Sequence, residues 1–226
     1  VQLAMAPRLA AHENAIYMNA KLFERIDSLH KKRIALGLPP TYLRLLERIH
    51  LDFVRAGARL EGPQRERYGQ VMTGLAELCT RFSQNVLAEE AAYTLVLHGE
   101  ADLEGLPTFV RSAAANAARQ RGFAEGQYVI TLSPSLAEPF LTFSARRDLR
   151  ETIWQARVAR GAKAGPHDNR PFVAQIMALR QEQAALHGYA SYTDYELADR
   201  MAGTPAAVSA LLQQAWQPAK SFAEQD

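Results

Sequence analysis

One run of apolar side chains limits what this chain can fold into. Tyr68, Val71, Leu75, Leu78, Phe82 and Asn85/Val86 recur at steps of three and four residues. That period places them on one stripe of an α-helix, and a strand could not bury them together because its side chains alternate faces. The spacing predicts a helix from about Gln64 to Leu97, about 50 Å long if unbroken. Gly69 and Gly74 weaken it by about 1 kcal/mol each relative to Ala, unless they admit a close neighbour.

The preceding segments carry the same period. Ile16, Ala20, Phe23, Ile26 and Leu29 form a stripe in a helix expected from about Ala11 to Leu36, with His12 on that stripe as a partly buried packing residue. "GLPP" at Gly37 to Pro40 ends it. Thr41 can cap a helix over Thr41–Leu60, in which Leu46, Ile49, Phe53, Ala56 and Leu60 repeat. A short "EGP" turn then predicts that this helix and the next form an antiparallel hairpin with coiled-coil-like packing.

Beyond a polar loop, His98 to Pro107, a short helix is expected from Thr108 to Arg121. The composition then turns β-branched and aromatic at Tyr128–Leu132 and again at Phe140–Phe143. The Pro-containing link between the runs predicts one β-hairpin near 128–143, lying on helices. Helices are expected from a Ser144 cap to Ala159, from Arg170 to His187, from the "SYTD" capping box to Met201, and after Thr204-Pro205 with a break near Pro218. The fold class is therefore predominantly all-α: antiparallel helical hairpins and a bundle, with that one β-hairpin. Residues 1–226 read as one helical lobe, divisible into 1–122 and 123–226.

The net charge is +2 and no concentrated basic face is visible, so nucleic acid is not an expected partner. Arg146, Arg147 and Arg150 read as a solvated face. No apolar run is long enough to span a membrane. The opening "VQLAMAPRLA" has no signal-peptide core, and it starts without Met, as an internal piece of a longer protein would. The single cysteine, Cys79, reads as a buried thiol in a reducing, cytoplasmic compartment.

Reactive motifs are scarce. His12-Glu13 begins like the helical zinc motif H-E-x-x-H, but the second histidine position holds Ile16. The other histidines, His30, His50, His98, His167 and His187, show no His-x₃-His spacing. Neither a G-x-S-x-G serine, a P-loop nor a dinucleotide fingerprint is present. Glu89 and Glu90 are adjacent, so they do not share a helix face. Glu100, Asp102 and Glu104 lack calcium-loop spacing. No catalytic, cofactor-binding or metal-ligating residue is assigned.

Several phrases nevertheless occur in a distinctive order: "TRFSQNVLAE" from Thr80, "DLEGLP" from Asp102, "YVITLSPSLAEPFLTFSARRDLRETIWQARVARG" from Tyr128, "HDN" from His167, "LRQEQAALHGYASYTDYELADRMAGTP" from Leu179 and "WQPA" from Trp216. Together they resemble the thimet oligopeptidase family of zinc metallopeptidases. "LRLLERIHLDFVRAGARL" is most similar to its bacterial peptidyl-dipeptidase branch. His187 departs from the Leu expected in that family's "LLGY".

The resemblance implies a cytoplasmic parent enzyme with two mostly helical lobes flanking a channel. Its zinc would be held by an H-E-x-x-H helix and a later Glu, downstream of every phrase found here. This chain would be a fragment of the N-terminal lobe, inactive alone and binding no zinc. It would wall the channel for peptide substrates and partner a C-terminal catalytic lobe. The strand pair would prop that wall against a helix starting at Ala145, and Arg146, Arg147 or Arg150 could meet a peptide carboxylate. The residues also admit another class of function: a free-standing helical interaction module without chemistry.

Overall fold

The computed structural model describes residue 12 and residues 16–225. The opening "VQLAMAPRLA" and the start of the first expected helix lie outside them. Nine α-helices and one two-stranded sheet are present among the described residues. The helices are α1 (Ala20–Lys31), α2 (Pro40–Arg55), α3 (Gly62–Ala92), α4 (Thr108–Gln120), α5 (Pro134–Phe143), α6 (Arg147–Val158), α7 (Arg170–Leu186), α8 (Tyr192–Leu197) and α9 (Pro205–Ala223). A 3₁₀ turn covers Glu100–Leu103, and the strands are β1 (Leu95–Leu97) and β2 (Tyr128–Ile130). The predominantly all-α architecture expected from the periodicity is the architecture found.

The expected β-hairpin near 128–143 is not. β2 pairs antiparallel with β1, in register Leu95↔Ile130, Val96↔Val129 and Leu97↔Tyr128. The second run is helical: Pro134 occupies the first turn of α5, and Phe140 is fully buried. Local β preference at Phe140–Phe143 yields to a proline already set at a helical φ and to the burial of Leu136, Ala137 and Phe140 on one face. The partner strand lies in "LVL", Leu95–Leu97, where the apolar period predicts the end of the long helix. β1 and β2 pair across position 122. The chain's two compact units are residues 1–74 with 178–226, and Leu75–Met177.

In the second unit, Leu103, Val110, Ala114, Ile130, Ala137, Phe140 and Ile153 form the core. Two polar side chains organise its loops. Arg111 donates from Nε to the Leu106 carbonyl and from Nη2 to that of Leu103. Asp102, 7% exposed, accepts from the His98 amide at 2.7 Å and from Arg146 Nη1. Gly105 has φ +79°, and a β-carbon there would collide with the Phe143 carbonyl oxygen.

In the first unit, α1 packs on α2 through Phe23, whose ring stacks near both His50 and Phe53. α1 and α2 form one helical hairpin. At the start of α3, Tyr68 donates its hydroxyl to the Arg55 carbonyl at 2.7 Å. The α3 stripe is as expected, with Tyr68, Val71 and Leu75 buried and Leu78, Phe82 and Val86 half-buried. Gly74 admits a neighbour, since a β-carbon there would lie 3.1 Å from Leu179 Cδ1; Gly69 faces open space.

α2 starts at Pro40 with Pro39 at the cap, so Thr41 lies inside it. Arg146, not Ser144, is the cap residue of α6, although Ser144 Oγ accepts from the Arg146 amide. The Ser191 and Thr204 caps are present, accepting from the amides of Asp194 and Ala207. α9 runs through Pro218 unbroken; that stretch is exposed, so the carbonyl freed by the missing N–H faces water. His12 is exposed rather than partly buried, and Cys79 is half-buried.

Candidate functional site

Three polar constellations emerge from residues far apart in sequence. The first joins α1 and α2. The rings of His30 and His50 stack face to face, centroids 3.7 Å apart and planes 3° apart. His50 Nε2 lies 2.9 Å from Asp27 Oδ1. Asp27 also meets Lys31 Nζ at 2.6 Å and Arg59 Nη2 at 3.4 Å. These cations, Lys31 foremost, hold the Asp27 carboxyl far below the usual carboxylate range. Burial, with His50 facing it, lowers His30.

The second surrounds Tyr195. His187 stacks on Tyr195 at 5.2 Å and meets the edge of Tyr68 at 5.2 Å. The Arg55 guanidinium lies 4.7 Å from the Tyr195 ring centre and donates to the Tyr195 carbonyl at 2.6 Å. Asp199, its side chain 5% exposed, accepts from Arg48 at 2.7 Å and lies 3.0 Å from Arg55 without hydrogen-bond alignment. Burial pushes the Tyr195 phenol up to about 12 and lowers His187, whose buried Nε2 has no partner. This is a packed aromatic and ionic core, in which Arg55 Nε, His187 Nε2 and Asp199 Oδ1 remain buried without a hydrogen-bond partner.

The third is the Asp102–Arg146 pair. Arg146 also grips Asp148 at 2.6 Å, and Arg150 donates to the Ser144 carbonyl. Two of the three arginines read as a solvated face are therefore structural ties, and Arg147 is exposed. Glu89 accepts from the Gly161 amide and Glu90 from Arg160 at 2.8 Å, so both are occupied in packing. Glu100 reaches Arg111 at 3.2 Å.

A cleft of about 490 Å³ lies in the second unit. Leu87, Ala117 and Leu136 line it beside Asn116, Arg121 and Thr131. Ser133 and Ser135 reach it as well, their hydroxyl oxygens 2.7 Å apart. No histidine lines this cleft, so neither serine has an imidazole base beside it there.

No group of three or more His, Cys, Asp or Glu side chains is placed to hold a metal among the described residues. Asp27, His30 and His50 come nearest, and they do not fit zinc. Parallel stacked rings cannot aim two lone pairs at one ion, and Asp27 is already engaged by Lys31 and Arg59. The His30–His50 meeting was invisible in the sequence, because only the α1–α2 packing aligns positions so far apart.

Residues 140–226 match the model of Peptidase family M3. The chain is 35% identical over 217 residues to a dipeptidyl carboxypeptidase of Salmonella typhimurium, covering 96% of this chain and 32% of the relative. The corresponding Escherichia coli protein is 34% identical over 199 residues, 88% of this chain and 29% of its own length. Oligopeptidase A of Haemophilus influenzae is 32% identical over 179 residues, 77% and 26% respectively. The chain thus spans about a third or less of the length of the curated relatives it matches. The matched stretch and this extended similarity make the chain a member of peptidase family M3.

Proposed function

We propose that this chain forms a non-catalytic, N-terminal helical part of a cytoplasmic zinc metallopeptidase that hydrolyses short peptides. The reaction would be dipeptide release from C-termini or oligopeptide cleavage. The observation that carries the reading is the 35% identity to a dipeptidyl carboxypeptidase over 96% of the chain. Among the described residues no group of three or more His, Cys, Asp or Glu side chains is placed to hold a metal, and in this reading the H-E-x-x-H helix belongs to a C-terminal catalytic lobe.

The contribution of these residues is geometric. α3 has 31 residues and α7 has 17. At 1.5 Å per residue they reach about 46 Å and about 25 Å, long enough to wall a channel that admits unfolded peptides and excludes folded proteins. The Asp102–Arg146 pair, and the Asn169 amide that donates to the Gly161 carbonyl at 2.7 Å, would give such a wall fixed loops.

A second reading, a free-standing helical interaction module, draws on α9. No residue of α9 is buried, and Leu211, Leu212, Trp216 and Phe222 are each at least 60% exposed. The coding sequence beyond the Asp226 codon separates the two. An in-frame H-E-x-x-H supports the peptidase reading; a stop codon without it supports the module.

A further inference from the structure

α1 packs on α2 through a seam that stays partly exposed. None of its 12 residues is buried, and Leu22 and Leu29 face outward at 37% and 48% exposure. It is held to α2 by half-buried Phe23 and Ile26 and by the stacked pair of His30 with buried His50. We propose that α1 is an arm that acidification releases from α2, with the His30–His50 stack as its latch.

The charges around the stack decide the sign. On α1, Asp27 and Lys31 flank it; on α2, Glu47 and His50; from the following turns, Arg33 and Arg59. Asp27 Oδ1, 2.9 Å from His50 Nε2, offers the stack one carboxylate partner. Glu47 is engaged by Arg33 and Arg44, and Asp27 by Lys31, Arg59 and His50, so no free carboxylate in this set remains for a second proton. The second proton places two imidazolium rings face to face, which stacking tolerates only for neutral or singly charged pairs. Burial and the facing His50 already hold His30 below the ordinary imidazole range. The open arm therefore binds a proton that the latched arm refuses. Latching is complete above the ordinary imidazole pKa and weakens as pH falls through and below it.

Hydrogen exchange of the whole chain, read by mass spectrometry at about pH 7.5 and about pH 5 with intrinsic rates corrected, tests this. The expected result is about a tenfold loss of protection confined to α1 at the lower pH, with α4 and α6 unchanged. In His30→Gln, which keeps a planar polar group but takes no proton, the step disappears. Equal α1 protection at both pH values in the parent chain, or an equal step in His30→Gln, overturns the proposal. If Gln at position 30 leaves α1 unprotected throughout, ring-proton NMR of the parent chain decides. Two separated histidine titrations, the lower one accompanied by a shift of the Phe23 ring, support the latch. A single shared titration that leaves Phe23 unmoved refutes it.

Discussion

Gly161 holds its α-carbon directly against the side chain of Asn169: a β-carbon at position 161 would lie 2.7 Å from Asn169 Nδ2. Asn169 is 2% exposed, donates to the Phe82 carbonyl at 3.0 Å and accepts from Asn85 at 2.8 Å. Its own amide donates to the Gly161 carbonyl at 2.7 Å. The glycine ending "RVARG" and the last residue of "HDN" are thus two halves of one tie. Gly161→Ala adds a collision and a left-handed strain, at φ +69°. It should lower stability by about 2 kcal/mol in urea denaturation, and Asn169→Leu should cost a similar amount.

Asp102 anchors the 3₁₀ turn to the cap of α6. Removing its carboxylate leaves the His98 amide without its partner and Arg146 paired with Asp148 alone. The Arg146 side chain is 35% exposed, so water compensates part of the loss. Asp102→Ala should destabilise by about 2 kcal/mol, less than a fully buried pair would lose. Chemical denaturation followed by circular dichroism reads this directly.

Gly69 and Gly74 share α3 but differ in what faces them. Gly69 has nothing within contact of an added β-carbon, so Gly69→Ala should stabilise the chain by about 1 kcal/mol. At Gly74 the added methyl meets Leu179 Cδ1 at 3.1 Å, so Gly74→Ala should gain clearly less. Thermal melts of the two variants make the comparison.

The long α3 was legible because Tyr68, Val71 and Leu75 bury at helical period and no competing signal interrupts them. The helical ends at Ser191 and Thr204 were legible because capping is local chemistry. The β1–β2 pairing was not, since Leu95–Leu97 is three apolar residues that continue a helical stretch, and their partner lies beyond α4. α5 was misread because Phe140–Phe143 has the side chains of a strand, and only its burial against α4 and α6 decides otherwise. The His30–His50 stack and the Tyr195 cluster were not legible, because helix packing alone assembles them.

His187 fills a slot where the resemblance leads one to expect Leu. Its Nε2 is buried without a partner, and burial followed by the Arg55 charge lowers its proton affinity. A base with a lowered folded pKa contributes stability above its unfolded value and loses it as pH falls. His187→Leu should therefore be about 1 kcal/mol more stable than the parent chain at about pH 5, with a smaller advantage at neutral pH. Urea midpoints across that range check both the sign and the slope.

The most direct test concerns peptide cleavage. The purified chain is incubated with an internally quenched oligopeptide and equimolar zinc, with and without a chelator. A structural, non-catalytic part of a peptidase gives no chelator-sensitive cleavage and no tight stoichiometric zinc uptake. Sustained peptide-bond scission that the chelator abolishes would contradict that role.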